Sequence, residues 1–154
     1  MKISKLGLEL IKLHEAFRSK PYLCPAKVPT IGYGSTFYED GTKVKLSDAP
    51  ISKEMATIIM SHYINEKIIP TIQRTVKIAL TQNEIDSLCS FIYNLGETNF
   101  ITSTLLKKIN QNIKGAEIER QFLKWNKANV SGKLIPLKGL TKRRKQEYEL
   151  FNSI

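Results

Sequence analysis

A segment rich in proline and glycine interrupts the helical pattern of this chain close to its beginning. Three prolines and three glycines fall between residues 19 and 47, and together they exclude a long helix there. The residues between them include several that favour β-strands, namely Thr30, Ile31, Tyr33, Thr36, Phe37, Val44 and Leu46. The segment therefore predicts a small β region, and the Asp40-Gly41 pair predicts a hairpin turn within it.

Helical periodicity flanks this β region on both sides. Before it, apolar residues recur every three or four positions and predict a helix from about Ser4 to His14 or Glu15, with one apolar stripe formed by Ile3, Leu6, Leu10, Leu13 and Phe17. After it, Ser52 is a suitable N-cap for a second helix, which Pro70 is expected to bend or end. The apolar face expected for this second helix is formed by Met55, Ile58, Ile59 and His62.

The remainder of the chain is predicted to be helical. Residues 81–84 form a capping box at the start of one helix, and Gly96 is a suitable C-terminal stop for it. Further helices are expected at about 103–110, 115–126 and 141–152.

This order of elements predicts an α+β fold, mainly α, with a small lobe containing a β-hairpin, a larger helical lobe and a cleft between them. We expect residues 1–154 to form a single domain. The β-containing lobe would span about residues 15–60, and the helical lobe about 61–154 plus the N-terminal helix.

Charge is the unusual feature of the composition. The 154 residues carry a net charge of +10 and the sequence pI is about 9.6, which implies an anionic partner. Nucleic acid, an anionic cell envelope and acidic glycans all fit this charge, and composition does not choose among them.

The sequence gives two indications of where the protein is made. No apolar run approaches the 18 or so residues of a membrane helix, and charged residues at 5, 9 and 12 break up the N-terminus, so we expect a cytoplasmic protein without stable membrane association. Cys24 and Cys89 lie 65 positions apart in different predicted elements. This spacing fits a reducing compartment better than a disulfide framework.

Glu15 is a candidate catalytic carboxyl because it ends the first helix just before the β region. If that region folds back over it, partial removal from water would disfavour the ionised form and keep a proton available for a leaving group. The alternative is an ordinary solvated glutamate at a helix end.

Residues 30–34 predict a strand with an open backbone. Alternation places Thr30, Gly32 and Gly34 on one face of that strand. Two glycines on one face would let a polyhydroxylated ligand, such as a sugar polymer, reach the main chain. The alternative is a bend or bulge in the strand.

Glu15, Cys24 and Thr30 are separated by eight and five residues. This pattern resembles the catalytic signature of the phage-type lysozymes, glycoside hydrolase family 24. Other parts of the chain match the same family in order, namely residues 91–96, Phe100, residues 103–106, Gly139-Leu140, Arg143-Arg144 and Glu147. The resemblance therefore covers nearly the whole chain.

The resemblance implies a muramidase that cleaves the β-1,4 bond between N-acetylmuramic acid and N-acetylglucosamine in bacterial peptidoglycan. It assigns Glu15 as general acid, and it places Cys24 and Thr30 beside the attacking water, with inversion expected. Arg143 or Arg144 would reach towards the acid, with Asn94 beside it. The residues expected to bind substrate are Gly32, Gly34, Tyr93 and Asn94. The reaction needs no metal or cofactor.

The resemblance also implies a biological setting. A phage or prophage endolysin of this kind would be a monomer that waits in the cytoplasm until a holin permeabilises the membrane. The enzyme would then reach the cell wall and lyse the host.

Two positions depart from the family pattern. Many members have aspartate where this chain has Cys24, and a thiol is a weaker base than a carboxylate at neutral pH. Cys24 could assist the water, act only as a spacer, or mark a site that has lost activity. The family usually has histidine where this chain has Ser35, which removes any role for an imidazole there.

Two other functions fit part of the sequence. The basic run 142–145 and the charge of +10 would suit a nucleic-acid-binding protein, although no aromatic residues alternate with the lysines and arginines to stack on bases. A catalytically impaired peptidoglycan-binding module would explain Cys24 and Ser35. His14 and His62 have no partners at metal-ligand spacing, and Trp125 is expected in the core.

Overall fold

The computed structural model describes residues 1–154 and contains eight α-helices and two separate antiparallel hairpins. The helices are α1 (Lys5–His14), α2 (Lys53–Tyr63), α3 (Ile69–Thr75), α4 (Gln82–Leu95), α5 (Glu97–Ile101), α6 (Thr104–Asn110), α7 (Ala116–Leu123) and α8 (Lys138–Phe151). The hairpins pair β1 (Arg18–Leu23) with β2 (Pro29–Gly32) and β3 (Lys127–Val130) with β4 (Lys133–Pro136). The predicted α+β, mainly helical architecture is confirmed.

Helix α4 forms the centre of the helical part. Every residue from Glu84 to Ile92 is buried, and α1 and α8 pack against this helix. The predicted capping box is present, with the Thr81 hydroxyl accepting from the Glu84 amide and the Glu84 carboxylate accepting from the Thr81 amide. One cluster of 21 buried apolar residues includes members from α4, α8 and the turn that follows β2 (residues 32–35, here called the β2 turn), so a single core joins them.

The bounds predicted for α1 are confirmed, but its predicted apolar stripe is wrong. Leu6 and Leu13 are 54% and 63% exposed, whereas Gly7 and Ile11 are buried. Helix α1 turns this side towards α4 because Gly7 lets the two helices pack closely. A Cβ atom at Gly7 would lie only 2.8 Å from the Asp86 Cβ. Asp86 also accepts a 2.9 Å hydrogen bond from the amide of the N-cap Ser4.

Pro70 does not end the second helical stretch. A wide π-helical turn over Ile64–Ile68 joins α2 to α3, and Pro70 lies in the first turn of α3, where a missing amide proton costs little. The predicted apolar face of α2 is wrong except at Ile59, because Met55 and Ile58 are exposed. The residues that α2 buries are Ala56, Ile59 and Met60.

The first β region is less regular than predicted. Residues 36–46 contain one isolated antiparallel bridge, between Phe37 and Lys43, rather than strands. The Asp40-Gly41 turn is present between these two residues, and the Gly41 amide donates to the Tyr38 carbonyl at 3.0 Å.

Three features of the C-terminal half differ from the prediction. The short helix α5 and the β3–β4 hairpin were not predicted, and α8 begins at Lys138 rather than near residue 141. The hairpin turns at Ser131 and Gly132, which both have positive φ, so it is a tight two-residue turn. None of the helices combines the length and apolar character that a membrane crossing requires.

Candidate active site

Glu15 lies at the C-terminal end of α1, where the backbone leaves the helix for the first hairpin. Its amide donates to the Ile11 carbonyl at 3.0 Å, and its backbone is extended. The side chain is 25% exposed, and Oε1 accepts a 2.6 Å hydrogen bond from Nη1 of Arg143. The end of α1 and the first half of α8 therefore meet at this carboxyl.

Arg143 is held on several sides by buried groups. Its Nε donates to Glu147 Oε1 at 3.2 Å, and its Nη2 donates to the Ser90 carbonyl at 3.2 Å. Only 4% of its side chain is exposed. Because these contacts fix the guanidinium, the hydrogen bond to Glu15 holds that carboxyl in one place.

Arg144 faces a different direction from Arg143. Its Nη2 donates to Asn94 Oδ1 at 3.0 Å and to Glu147 Oε1 at 2.9 Å, and its guanidinium lies 5.1 Å from the centre of the Phe91 ring. The side chain is fully buried. Of the two arginines that the sequence offered as a partner for Glu15, the structure places Arg143 there and ties Arg144 to Asn94.

Glu147 is the carboxylate that both arginines share. It has no exposed surface, and Ser90 Oγ donates to its Oε1 at 2.7 Å. Burial raises the pKa of Glu147 above its ordinary value, and the charges of Arg144 and Arg143 oppose this effect. Since arginine stays protonated, the fully buried Glu147 is the counter-charge that both cations share, and the partly exposed Glu15 pairs with Arg143 alone.

Thr30 and Cys24 lie together where β1 turns into β2. Thr30 is only 3% exposed, and its hydroxyl donates to the Val28 carbonyl at 2.8 Å. The Cys24 side chain is half-buried beside the Val28 backbone. Hydrogen bonding to the Val28 backbone is the largest effect and lowers the pKa of the Cys24 thiol, while partial desolvation opposes it.

The strand predicted over residues 30–34 ends at Gly32, so the expected alternation of faces is wrong. Gly32 and Gly34 have φ values of +66° and +90°, and Ile31 and Ser35 exchange two 2.9 Å backbone hydrogen bonds around them. A Cβ at Gly32 would lie 2.9 Å from the Ala56 Cβ. Gly32 therefore packs against α2 instead of facing a ligand, and only Gly34 is exposed.

Replacing Gly32 by alanine is expected to destabilise the protein by about 3 kcal/mol, because the new Cβ is strained at positive φ and also collides with α2. Chemical denaturation measures this change. Gly41→Ala is the matched control, since Gly41 has φ +83° and no atom within 4 Å of the added Cβ. The control is expected to cost only about 1 kcal/mol. Equal losses in the two variants would contradict the packing role of Gly32.

A groove of about 200 Å³ runs beside this turn and is lined by Gly34, Ser35, Thr36, Phe37, Tyr63 and Tyr93. The Tyr93 hydroxyl donates to the Tyr33 carbonyl at 2.6 Å, which fixes the ring at the groove wall. Burial and then the nearby charge of Glu15 raise the pKa of Tyr93. Tyr93 and Gly34, both predicted to bind substrate, thus line a groove near the candidate acid.

Ser90 is a site residue that the sequence reasoning missed. Its hydroxyl and carbonyl contact Glu147 and Arg143, and it lies on the face of α4 that also carries the buried Asp86 and Ser87. Three polar residues on one face of an otherwise apolar helix could have indicated Ser90, because buried polar groups require polar partners.

His14 and Trp125, which the sequence analysis also considered, contact other parts of the fold. His14 Nε2 lies 2.7 Å from Gln146 Oε1 and so links α1 to α8 beside the site. Burial lowers the pKa of His14, and the charges of Arg143 and Lys142 add to this effect. Trp125 packs on the core, with its ring 5.9 Å from that of Phe91.

The site therefore consists of a partly exposed carboxyl held by a buried arginine beside a groove between the β-containing and helical parts. A mainly helical fold with such a site is what the sequence pattern predicts for a lysozyme-like glycoside hydrolase.

Comparison with known proteins agrees with this class. A family described as phage lysozyme matches residues 12–147. The endolysin of Acyrthosiphon pisum secondary endosymbiont phage 1 is 43% identical over 154 residues, which cover 99% of both chains.

Solved structures show the same similarity. The endolysin from Escherichia coli O157:H7 phage FAHEc1 superimposes with a TM-score of 0.86 at 34% identity, covering 98% of this chain and 93% of that one. A mutant of P22 lysozyme superimposes with a TM-score of 0.84 at 32% identity, covering 99% of both chains.

The chain belongs to the phage lysozyme family. It is accordingly a glycoside hydrolase, a muramidase of the endolysin type, and the sequence prediction of this activity is confirmed. The nucleic-acid-binding and catalytically impaired alternatives are not favoured.

Proposed function

We propose that Glu15 donates the proton that cleaves the β-1,4 bond between N-acetylmuramic acid and N-acetylglucosamine in peptidoglycan. The proton passes to the glycosidic oxygen as the bond to the anomeric carbon breaks, and positive charge develops on the sugar ring. A water molecule then attacks that carbon from the opposite face, which inverts its configuration. The observation that carries this proposal is the contact between Glu15 and the buried Arg143 beside the groove.

Thr30 and Cys24 are proposed to place the attacking water. The Thr30 hydroxyl already donates its proton to the Val28 carbonyl, so its oxygen is left to accept a hydrogen bond from water. A water that donates to Thr30 keeps a lone pair free for the anomeric carbon. The lowered pKa of Cys24 favours its thiolate form, and the thiolate takes up a proton from the water as the water attacks, which leaves Cys24 as the neutral thiol.

Arg143 acts in this scheme as a positioning residue. Its guanidinium is fixed by Glu147 and Ser90, and it keeps the Glu15 carboxyl at the groove as substrate enters. Tyr93 and Gly34 form part of the surface on which the sugar chain lies, and Asn94 supports Arg144 nearby.

The cleaved bond is identified from the products of purified peptidoglycan. A muramidase is expected to release fragments whose new reducing end is N-acetylmuramic acid, and chemical reduction followed by mass spectrometry distinguishes them from fragments ending in N-acetylglucosamine. Products of an amidase or a glucosaminidase would contradict the assigned bond.

Replacing Cys24 by aspartate is expected to keep or raise the lytic rate, because an ordinary aspartate is fully ionised at neutral pH and a cysteine is mostly protonated. The wild-type rate should rise with pH through the lowered pKa of the thiol, and the variant should lose that dependence. Turbidity clearance of a cell-wall suspension over a pH series measures both. A collapse of the Cys24→Asp rate at every pH would refute the role of Cys24 beside the water.

The biological setting is proposed from the family membership. Residues 1–154 would act as a single, monomeric catalytic domain, with α1 and α8 placing the acid, and with β2 and the connection between β1 and β2 placing the water. The enzyme would be held away from its substrate until a holin opens a route to the cell wall, and hydrolysis of peptidoglycan would then lyse the host.

A further inference from the structure

The β3–β4 hairpin projects from the molecule with apolar side chains uncovered. Every strand residue except the half-buried Ala128 is exposed, and Leu134 exposes 70% of its surface. A lone two-stranded hairpin is only marginally stable in water. Its apolar side chains would therefore gain free energy if another surface covered them.

A stripe of lysines lies next to this hairpin. Lys138, Lys142 and Lys145 are spaced by four and three residues, so they share one face of α8, while Arg143 and Arg144 are buried on the other side. All three lysines are exposed, and none forms an ion pair. This face thus carries three positive charges, and Glu149, which lines the same groove, places one negative charge beside them.

The hairpin and the lysines form one continuous surface. The three lysines line a groove of about 520 Å³ together with Pro136 and Leu137 at the end of the hairpin. Leu134 lies two residues before Pro136, so the two side chains share a face of β4. We name these residues the hairpin–lysine surface: Leu134, Pro136, Leu137, Lys138, Lys142 and Lys145.

We propose that the hairpin–lysine surface is a reversible docking site for an anionic phospholipid bilayer. The three ammonium groups lie beside the lipid phosphates, and Leu134 enters the boundary between headgroups and acyl chains. A bilayer is the partner that offers both anionic groups and apolar volume. Nucleic acid and anionic glycans would satisfy the lysines but would leave Leu134 uncovered.

This contact is peripheral and involves none of the residues proposed for hydrolysis. It differs from the stable membrane association that the sequence argues against, because it rests on a few side chains rather than on a membrane-spanning segment. Such docking would concentrate the enzyme at a membrane surface without occupying the groove beside Glu15.

Vesicle sedimentation tests the proposal, with phosphatidylcholine vesicles containing or lacking phosphatidylglycerol. Wild type is expected to bind only the anionic vesicles. Lys138→Gln, Lys142→Gln and Lys145→Gln combined should weaken binding about a hundredfold, and Leu134→Ser should weaken it about tenfold.

Matched controls separate a defined surface from overall charge. Lys5→Gln, Lys77→Gln and Lys107→Gln combined remove the same charge from exposed, unpaired lysines elsewhere. Leu6→Ser removes an exposed leucine from α1. Both controls should bind as wild type does, and thermal unfolding checks that every variant is folded. Equal losses in test and control variants would overturn the proposal, as would wild-type binding to neutral vesicles or to none.

Two further measurements distinguish other partners and functions. Duplex DNA that displaces the protein from vesicles at equal phosphate concentration would overturn the lipid assignment in favour of a polyanion site. The triple variant of the hairpin–lysine surface should hydrolyse purified peptidoglycan at the wild-type rate. A parallel loss there would show that the surface binds substrate instead, whereas failure of the Glu15 assignment would leave vesicle binding unchanged.

Discussion

Glu15→Gln is expected to lower the rate of peptidoglycan hydrolysis by about a thousandfold, within the range of roughly 10²–10⁴ attributed to general acids. Glutamine fills the same space and can still accept the hydrogen bond from Arg143, but it has no proton to give to the glycosidic oxygen. Turbidity clearance and the release of reducing ends from purified peptidoglycan both measure this loss.

Glu9→Gln is the control for this experiment. Glu9 lies on the same helix, is 55% exposed and pairs only with Lys12. Its replacement should leave the rate within about twofold of wild type, in keeping with the small energies of surface ion pairs. If Glu15→Gln cleared cell walls as fast as Glu9→Gln, the proton donor would be another group and the proposed mechanism would be wrong.

Glu147→Gln is expected to destabilise the fold by about 3–5 kcal/mol, because it leaves two buried guanidinium groups without their shared counter-charge. For a chain of this length the midpoint of thermal unfolding should fall by roughly 10 °C. Calorimetry or circular dichroism at neutral pH measures the shift. Because Glu147 also orients Arg143, the lytic rate of the remaining folded protein should fall as well.

Glu149→Gln provides the comparison on the same helix. Glu149 is exposed and forms no ion pair, so its replacement should shift the midpoint by no more than about 1–2 °C. A small shift for Glu147→Gln as well would mean that the two arginines find other compensation, and the described network would not be what stabilises this part of the fold.

The element types and most helix limits were predictable because they depend on local rules. The capping box at Thr81 and the Ser52 N-cap mark the starts of α4 and α2 correctly, since side-chain caps act over three residues. The β3–β4 hairpin was not predicted because each strand has only four residues and neither strand has a buried face. Its sequence therefore lacks an alternation of apolar and polar residues.

The errors concern which face of an element is buried. On α1 the spacing of leucines suggested one stripe, yet the helix turns Gly7 towards Asp86, because that side permits the closest approach to α4. The glycines of the β2 turn suggested an open strand, but positive φ and the contact with Ala56 show that Gly32 serves packing. Asp86 and Ala56 lie far along the chain from the glycines that they contact, so the local sequence pattern does not predict either contact.

By itself the sequence determined the mainly helical α+β class, because periodicity and capping are local properties of the chain. It also determined the resemblance to the lysozyme family and the candidate acid, because these depend on the spacing of Glu15, Cys24 and Thr30. Only the tertiary structure decided that Arg143, and not Arg144, contacts Glu15. Adjacent residues on a helix point about 100° apart. The local sequence does not indicate which of the two arginines faces Glu15, which lies 128 positions away from Arg143. That choice depends on how α8 packs against α4, where the burial of Glu147 and Ser90 sets the rotation of the helix.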